Sequence, residues 1–341
     1  MKAIVYSAPR EWELKEIPTP EPKANQVLIR VKGCGVCRTD AHIHEGDFIS
    51  RFPLTPGHEF TGEIAAVGAD VKEFAVGDRV VADNTILCGE CYYCRQDMDL
   101  FCEDFLSLGC NQPGGYAEYV VVNHDHVWKI SDNVTYDMGC FAEPLACAIH
   151  GMDVIQPKCG DDILVFGAGA TGILLTQLLK HGGATNLVVC ASSQDKLDMI
   201  EKNKYATDTV LMDRNDYSKH TNYLKEKYPH GFDIVIDATG APAVIEQLFN
   251  FPKPTGKVVF YGVAPSDAKV SISPYQIFNQ ELKVLGSFAQ VYCFERAVKY
   301  LELGIVKVDD LIEKHYTLDN FDEMMDDFLH KKGLKKLIVN P

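Results

Sequence analysis

Ile163-Leu164-Val165-Phe166-Gly167-Ala168-Gly169-Ala170-Thr171-Gly172 is the stretch around which the rest of the chain makes sense. Its four leading apolar residues read as a buried strand. The Gly-x-Gly-x-x-Gly run then turns the chain tightly, and residues 173–179 carry apolar side chains at helical spacing. A strand, tight turn and helix in this order leave backbone N–H groups at a helix N-terminus, where a pyrophosphate binds. Gly167 permits the turn, Gly169 lets backbone approach the phosphates, and Gly172 lets helix and strand pack closely.

Working outward, apolar runs at 163–166, 187–190, 209–211, 233–236, 258–262 and 282–286 have helix-like stretches between most of them. Six strands in this alternation predict a doubly wound parallel sheet over residues 147–288. Residues 1–146 differ, with short β-type runs at 3–6, 27–31, 63–67, 79–81 and 116–122, punctuated by Gly, Pro and Asp. They predict a compact, barrel-like all-β domain. The tail, 289–341, returns to helix, short strand, helix and a last strand at 336–339.

With 341 residues, 46% of them apolar and 24% charged, the chain is long enough for two globular cores. A net charge of -15 repels nucleic acid and anionic membranes, so neither is an expected partner; a neutral small molecule is indifferent to it. No run approaches the length of a membrane span, and Met1-Lys2-Ala3-Ile4-Val5-Tyr6 reads as a strand entering a fold. The expected compartment is therefore the cytosol. There, clustered cysteines serve as metal ligands more often than as disulfides.

Of the 12 cysteines, Cys88-x2-Cys91-x2-Cys94-x7-Cys102 form one cluster on a loop with Gly89 for tight turning. Four thiolates at this spacing wrap a tetrahedral zinc with no position left open, which makes such a site structural. A disulfide pair or four unrelated thiols fit a reducing compartment less well. A second constellation is drawn from separated segments: Gly35-Val36-Cys37-Arg38-Thr39-Asp40-Ala41-His42, then Gly57-His58-Glu59, then Glu143 in Ala142-Glu143-Pro144. Mixed thiolate, imidazole and carboxylate ligands with room for substrate are what a Lewis-acid zinc needs.

Taken together, these motifs resemble the zinc-containing medium-chain alcohol and polyol dehydrogenases over essentially the whole chain. Gly57-His58-Glu59-x2-Gly62-x5-Gly68-x2-Val71 is similar to the family's zinc signature. Gly77-Asp78-Arg79-Val80, the cysteine cluster and the glycine motif follow in the family's order. The resemblance implies a GroES-like β-barrel catalytic domain (1–146) completed by the C-terminal segment (289–341), with a Rossmann domain (147–288) inserted and the active site in a cleft. It also implies two zinc ions per chain, one catalytic and one structural.

Cys37 and His58 match two catalytic zinc ligands of that family. Its alcohol dehydrogenases place a cysteine where this chain has Glu143. Its sorbitol-dehydrogenase-like branch has Glu there and uses the position of Glu59 or a water, so the third ligand stays open between Glu59, Glu143 and water. By the same resemblance, Thr39 accepts the substrate's proton and His42 relays it toward solvent. Tyr116 and Phe288 are candidates to line the pocket, with core packing as the alternative for both. The short run from Cys102 to Gly114-Gly115-Tyr116-Ala117-Glu118 resembles tetrameric members, with a dimer as the second expectation.

An NAD enzyme of this fold carries Asp or Glu about 20 residues past the glycines. Here that place reads Cys190-Ala191-Ser192-Ser193-Gln194. With no carboxylate to repel a 2'-phosphate, and Ser192, Ser193 and Lys196 as donors, NADP is expected at least as readily as NAD. The expected substrates are pentitols, hexitols or other secondary alcohols. Ala289-Gln290 replaces the polyol-contacting Arg-Tyr pair of sorbitol enzymes, which leaves a threonine or simple secondary-alcohol dehydrogenase open. A catalytically inactive member with a binding role is the non-enzymatic alternative.

Overall fold

The structure, a computed structural model, describes residues 1–341 except Phe48, Lys332 and Leu334. It divides into two compact units, Met1–Ala146 with Gln290–Pro341, and Cys147–Ala289.

In the first unit, β1 (Lys2–Ala8) and β2 (Glu11–Glu16) form a hairpin. There follow β3 (Gln26–Gly35), α1 (Arg38–Glu45), β4 (Glu59–Val67), β5 (Arg79–Ala82), β6 (Thr85–Ile86) and β7 (Leu106–Ser107). Next come β8 (Tyr119–Asn123), β9 (Val127–Lys129) and α2 (Tyr136–Gly139), and α3 (Ala142–Ile155) begins in the first unit and continues into the second. The second unit holds β10 (Ile163–Phe166), α4 (Ala170–His181), β11 (Leu187–Ala191), α5 (Gln194–Lys202), β12 (Asp208–Leu211) and α6 (Ser218–Lys227). It ends with β13 (Phe232–Asp237), α7 (Pro242–Leu248), β14 (Pro252–Phe260), α8 (Pro274–Asn279) and β15 (Lys283–Gly286). The chain then returns to the first unit with α9 (Phe294–Glu302), β16 (Ile312–Thr317), α10 (Phe321–His330) and β17 (Lys336–Asn340).

The second unit's sheet runs β12-β11-β10-β13-β14-β15, all parallel, so the expected doubly wound sheet is found. Every residue of β10 is fully buried, which explains its unbroken apolar run: a central strand is covered on both faces. In the first unit the sheet runs β16-β17-β3-β4-β5-β9, with β8 also on β3, around a core that includes Ile29, Phe60, Ile64, Val120 and Val339. The last strand thus sits beside β3, inside the N-terminal sheet. Among the described residues no helix is long and apolar enough to cross a membrane.

Two local features depart from the sequence expectation. β4 opens at Glu59, earlier than the run at 63–67, because its first four residues are all buried and no alternation marks them. α1 was not expected; Ile43 is its one buried apolar residue, too little for a helical stripe.

His220 in α6 is buried, edge-on to Phe166 and Tyr217, and neither ring nitrogen has a hydrogen-bond partner among the described residues. Burial lowers its pKa, against the opposing pull of Asp216 and Asp213. A folded-state pKa below the unfolded value means the unfolded chain takes up the proton first. The neutral ring's contribution is intact above about pH 6.5 and is lost as pH falls toward the lower folded value. His220→Phe should flatten the acid side of melting temperature plotted against pH; an unchanged acid limb would show the ring is not what titrates.

Candidate active site and metal centres

The mixed-ligand site is assembled by strand ends. Gly35 at the end of β3 pairs with Glu59 at the start of β4, and Cys37 lies just beyond, as the N-cap of α1. The cap is held by Asp40, whose Oδ2 accepts from the Cys37 backbone N–H at 2.8 Å and from the Tyr116 hydroxyl at 2.9 Å. Asp40 therefore starts the helix and anchors the thiol's backbone at once. His58 is buried; its Nδ1 lies 3.9 Å from Asp40 Oδ1, the nearby carboxylate able to orient the ring. Ligand atoms of Cys37, His58 and Glu59 all lie within 4.8 Å of one another. Neighbouring ligand atoms around one tetrahedral zinc are roughly 3.5 Å apart, so this donor set fits zinc.

Lys336 on β17 is the residue that sequence reasoning missed. Its Nζ donates to Glu59 Oε2 at 2.6 Å, to Glu59 Oε1 at 2.8 Å and to the Val36 carbonyl at 3.2 Å. Both side chains are almost fully buried. Burial alone would lower the Lys336 pKa; the carboxylate of Glu59, with the charges of Cys37 and Glu143, raises it instead. Glu59 is thus shared between a fixed cation and the metal position. No local pattern announces this, since the sheet order β17-β3-β4 joins residues from opposite ends of the chain.

Thr39 is half-buried in the first turn of α1, its hydroxyl 3.7 Å from Cys37 Sγ. His42 follows one turn later, also half-buried. Glu143 is half-buried near the start of α3, outside the three-residue group but close enough for its charge to act on Lys336. Tyr116 is fully buried, its ring 5.2 Å from that of Phe321 and its hydroxyl on Asp40, so it is a strut rather than a pocket wall. Phe288 is partly exposed in the second unit.

The cysteine cluster is also brought together: Sγ atoms of Cys88, Cys91, Cys94 and Cys102 lie within 4.8 Å of one another. Cys88 and Cys94 Sγ are 4.0 Å apart, far beyond a disulfide bond and suited to a shared metal. Backbone N–H groups of Cys91 and Cys88 donate to the sulfurs of Cys88 and Cys102, each at 3.4 Å, as thiolates require. The backbone amides of Cys94 and Glu103 also bring the Cys91 thiol down to about 6.

In the second unit, Gly167 has φ 116°, and a Cβ there would meet the Ala238 carbonyl at 2.7 Å. Gly172, inside α4, would meet the Gly167 carbonyl at 2.7 Å, so both positions require glycine. A Cβ at Gly169, the N-cap of α4, would meet nothing within 4 Å, leaving the open cradle that a pyrophosphate needs. Beyond β11, Ser192 is exposed and Ser193 stands at the N-cap position of α5 with no capping bond from its side chain, whereas Lys196 is buried in that helix's first turn.

Comparison with known proteins agrees with this geometry. The alcohol dehydrogenase GroES-like domain matches residues 23–132 and the zinc-binding dehydrogenase domain matches residues 170–303. D-arabinitol dehydrogenase 1 from Uromyces fabae is 40% identical over 100% of this chain and 97% of its own length. D-altritol 5-dehydrogenase from Agrobacterium fabrum (strain C58 / ATCC 33970) is 34% identical over 89% of this chain and 88% of its own. Among solved structures, a zinc-binding dehydrogenase from Sinorhizobium meliloti 1021 bound to NADP superposes with a TM-score of 0.92 at 32% identity, covering 100% of this chain and 99% of that one. The chain belongs to the zinc-binding medium-chain dehydrogenases, enzymes that move a hydride between an alcohol and NAD(P).

Proposed function

We propose that this enzyme oxidises a polyol, a pentitol or hexitol, to the corresponding ketose, and that Cys37, His58 and Glu59 hold its catalytic zinc. The observation that carries the reading is the divided loyalty of Glu59. Its carboxylate is paired with Lys336, so its grip on the metal is weak and a position stays exchangeable for the substrate. Zinc, when bound there, supplies the Lewis acidity that makes an alcohol hydroxyl acidic near neutral pH. Cys88, Cys91, Cys94 and Cys102 would hold a second, structural zinc. The relatives named for arabinitol and altritol support a polyol over threonine.

Thr39 Oγ1 beside Cys37 can accept the substrate's proton while donating its own, and His42, one helical turn on, passes it toward solvent. Thr39→Ser should retain much of the activity, whereas Thr39→Val should lose ~100-fold in oxidation rate. His42→Gln should cost less and shift the pH profile. Steady-state rates at matched zinc occupancy check this, and a Val variant as fast as the parent would remove Thr39 from the path.

For the cofactor, the chain lacks the acidic residue after β11 and presents exposed Ser192 in its place, which supports use of NADP at least as well as NAD. The decisive assay is a panel of polyols, vicinal diols, monohydric secondary alcohols and threonine, each with NAD and NADP. Polyols with NADP should give the highest kcat/KM; a best substrate without adjacent hydroxyls, or a strong preference for NAD, would overturn the respective half of the reading.

We further propose a homotetramer in the cytosol. Clustered sulfurs held apart as Cys88 and Cys94 are, at 4.0 Å, suit a reducing compartment. Tyr275 and Phe278 of α8 are 71% and 78% exposed in the segment leading into β15, which pairs only with β14 among the described residues. Apolar surface and an unpaired edge of this kind are normally covered by another subunit. Light scattering should give four chains; a monomer mass at assay concentration would reject the assembly.

A further inference from the structure

The carboxyl end of β13 carries a carboxylate that the zinc chemistry does not touch. Asp237 is that strand's last residue and is fully buried, in the interior of the parallel sheet. It stands opposite Phe166 on β10, the residue that leads into Gly167, and opposite Phe260 on β14. Its Oδ1 accepts from the Thr239 backbone N–H at 2.9 Å and from the Thr239 hydroxyl at 2.5 Å, and its Oδ2 accepts from the Gly240 N–H at 3.0 Å. Thr239 Oγ1 accepts in turn from the N–H of Ala241, the N-cap of α7. Burial pushes the Asp237 pKa up, and the groups that pull it down are these neutral donors on Thr239 and Gly240. A carboxylate buried among neutral donors costs more to desolvate than an apolar side chain, so fold stability alone does not account for it. What the three bonds fix is the shape of the turn at 238–240.

That turn is one wall of the glycine turn. The Ala238 N–H donates to the Phe166 carbonyl at 2.7 Å, and a Cβ on Gly167 would meet the Ala238 carbonyl at 2.7 Å and Thr239 Cγ2 at 3.0 Å. On the other side, the Tyr261 and Gly262 N–H groups donate to the Asp237 carbonyl at 3.0 and 2.8 Å, and a Cβ on Gly262 would lie 2.3 Å from the Gly240 nitrogen. Interiors packed this closely transmit a shift and do not absorb it. A displaced 238–240 turn therefore moves Gly167, and with it the N–H groups at the start of α4 that receive a pyrophosphate.

We propose that Asp237 is a positioning residue for the nicotinamide cofactor: by clamping the turn at 238–240 between Gly167 and Gly262, its carboxylate holds the glycine turn in the shape that receives the pyrophosphate. Being fully buried, Asp237 acts through the backbone of that turn and not by contact with the cofactor. The inference holds whichever nicotinamide the enzyme prefers, because both carry the pyrophosphate.

Dissociation constants for NADPH and NADH, read from cofactor fluorescence, test this beside kcat, the KM of cofactor and of polyol, and the melting temperature. Asp237→Ala removes all three bonds and should weaken both cofactors ~100-fold, as a misplacement of about 1 Å does. Asp237→Asn keeps the acceptor for Thr239 but turns an NH2 group toward the Gly240 N–H, and should weaken both ~10-fold. That variant is nearly isosteric and decides the question if the Ala variant does not fold. The cofactor KM should rise with the dissociation constants, while the polyol KM and the kcat at saturating cofactor stay within about threefold of the parent. Dissociation constants unchanged in the Asn variant, whatever its melting temperature, would overturn the proposal and mark the carboxylate as structural. A loss confined to one of the two cofactors would overturn it as well, because it would place the effect at the adenosine ribose and not at the pyrophosphate.

Discussion

Cys37→Ser should abolish polyol oxidation while leaving the chain folded. Losing a catalytic zinc removes several kcal/mol of transition-state stabilisation, which is roughly a thousandfold or more in rate. The fold should survive because position 37 is the N-cap of α1, and serine is among the best N-cap residues. The bond from its backbone N–H to Asp40 does not involve the side chain at all. Cys88→Ser should behave in the opposite way: it opens a closed four-sulfur site, so melting temperature falls and the surviving folded protein keeps most of its specific activity. Circular dichroism alongside steady-state rates separates the two; a Cys37→Ser variant with appreciable turnover would remove that residue from the catalytic ligand set.

The second large effect is expected at Lys336. Lys336→Met leaves the buried Glu59 carboxylate without its cation and should cost about 3–5 kcal/mol of stability, as breaking one side of a buried pair does. Glu59→Gln combined with Lys336→Met should recover much of that loss, because the double variant buries no charge. Lys336→Arg should fall between, since the longer fork must fit a site closed by Val36 and Glu59. Urea unfolding of all three in a Cys37→Ser background, where no catalytic zinc neutralises Glu59, measures them. A single variant that loses less than about 1 kcal/mol would mean the pair contributes no more than an exposed salt bridge.

How much of this was legible in the sequence depends on distance along the chain. The glycine motif, the alternation around it and the four clustered cysteines are local patterns, and the structure shows the parallel sheet and the sulfur group that those patterns imply. Cys37, His58 and Glu59 could be named because each sits in a short motif, although only the pairing of β3 with β4 shows how they converge. α1 escaped because one buried apolar residue leaves no periodicity to read.

Lys336 escaped for a different reason: its partner is at the far end of the chain, and a lysine opening an apolar strand looks like an ordinary surface residue until β17 is placed beside β3. Lys196 shows the converse, a charge that reads as an available donor in sequence and is buried in the first turn of α5. Gln290 reads as the loss of a substrate contact, yet in the fold it is tied to Asp83 and Thr85 with its oxygen unpaired among the described residues. In all three cases the signal lies in tertiary packing, which no window of sequence contains.

The central claim is that two unlike zinc sites share one chain, an exchangeable one at Cys37, His58 and Glu59 and a closed one at the four cysteines. Elemental analysis of the purified parent, Cys37→Ser and Cys88→Ser tests it most directly. The account predicts two zinc ions per chain in the parent and one in each variant, with turnover lost when the Cys37 zinc is lost. A parent that oxidises polyols with no bound metal, or that holds one zinc lost only with Cys37, would contradict it.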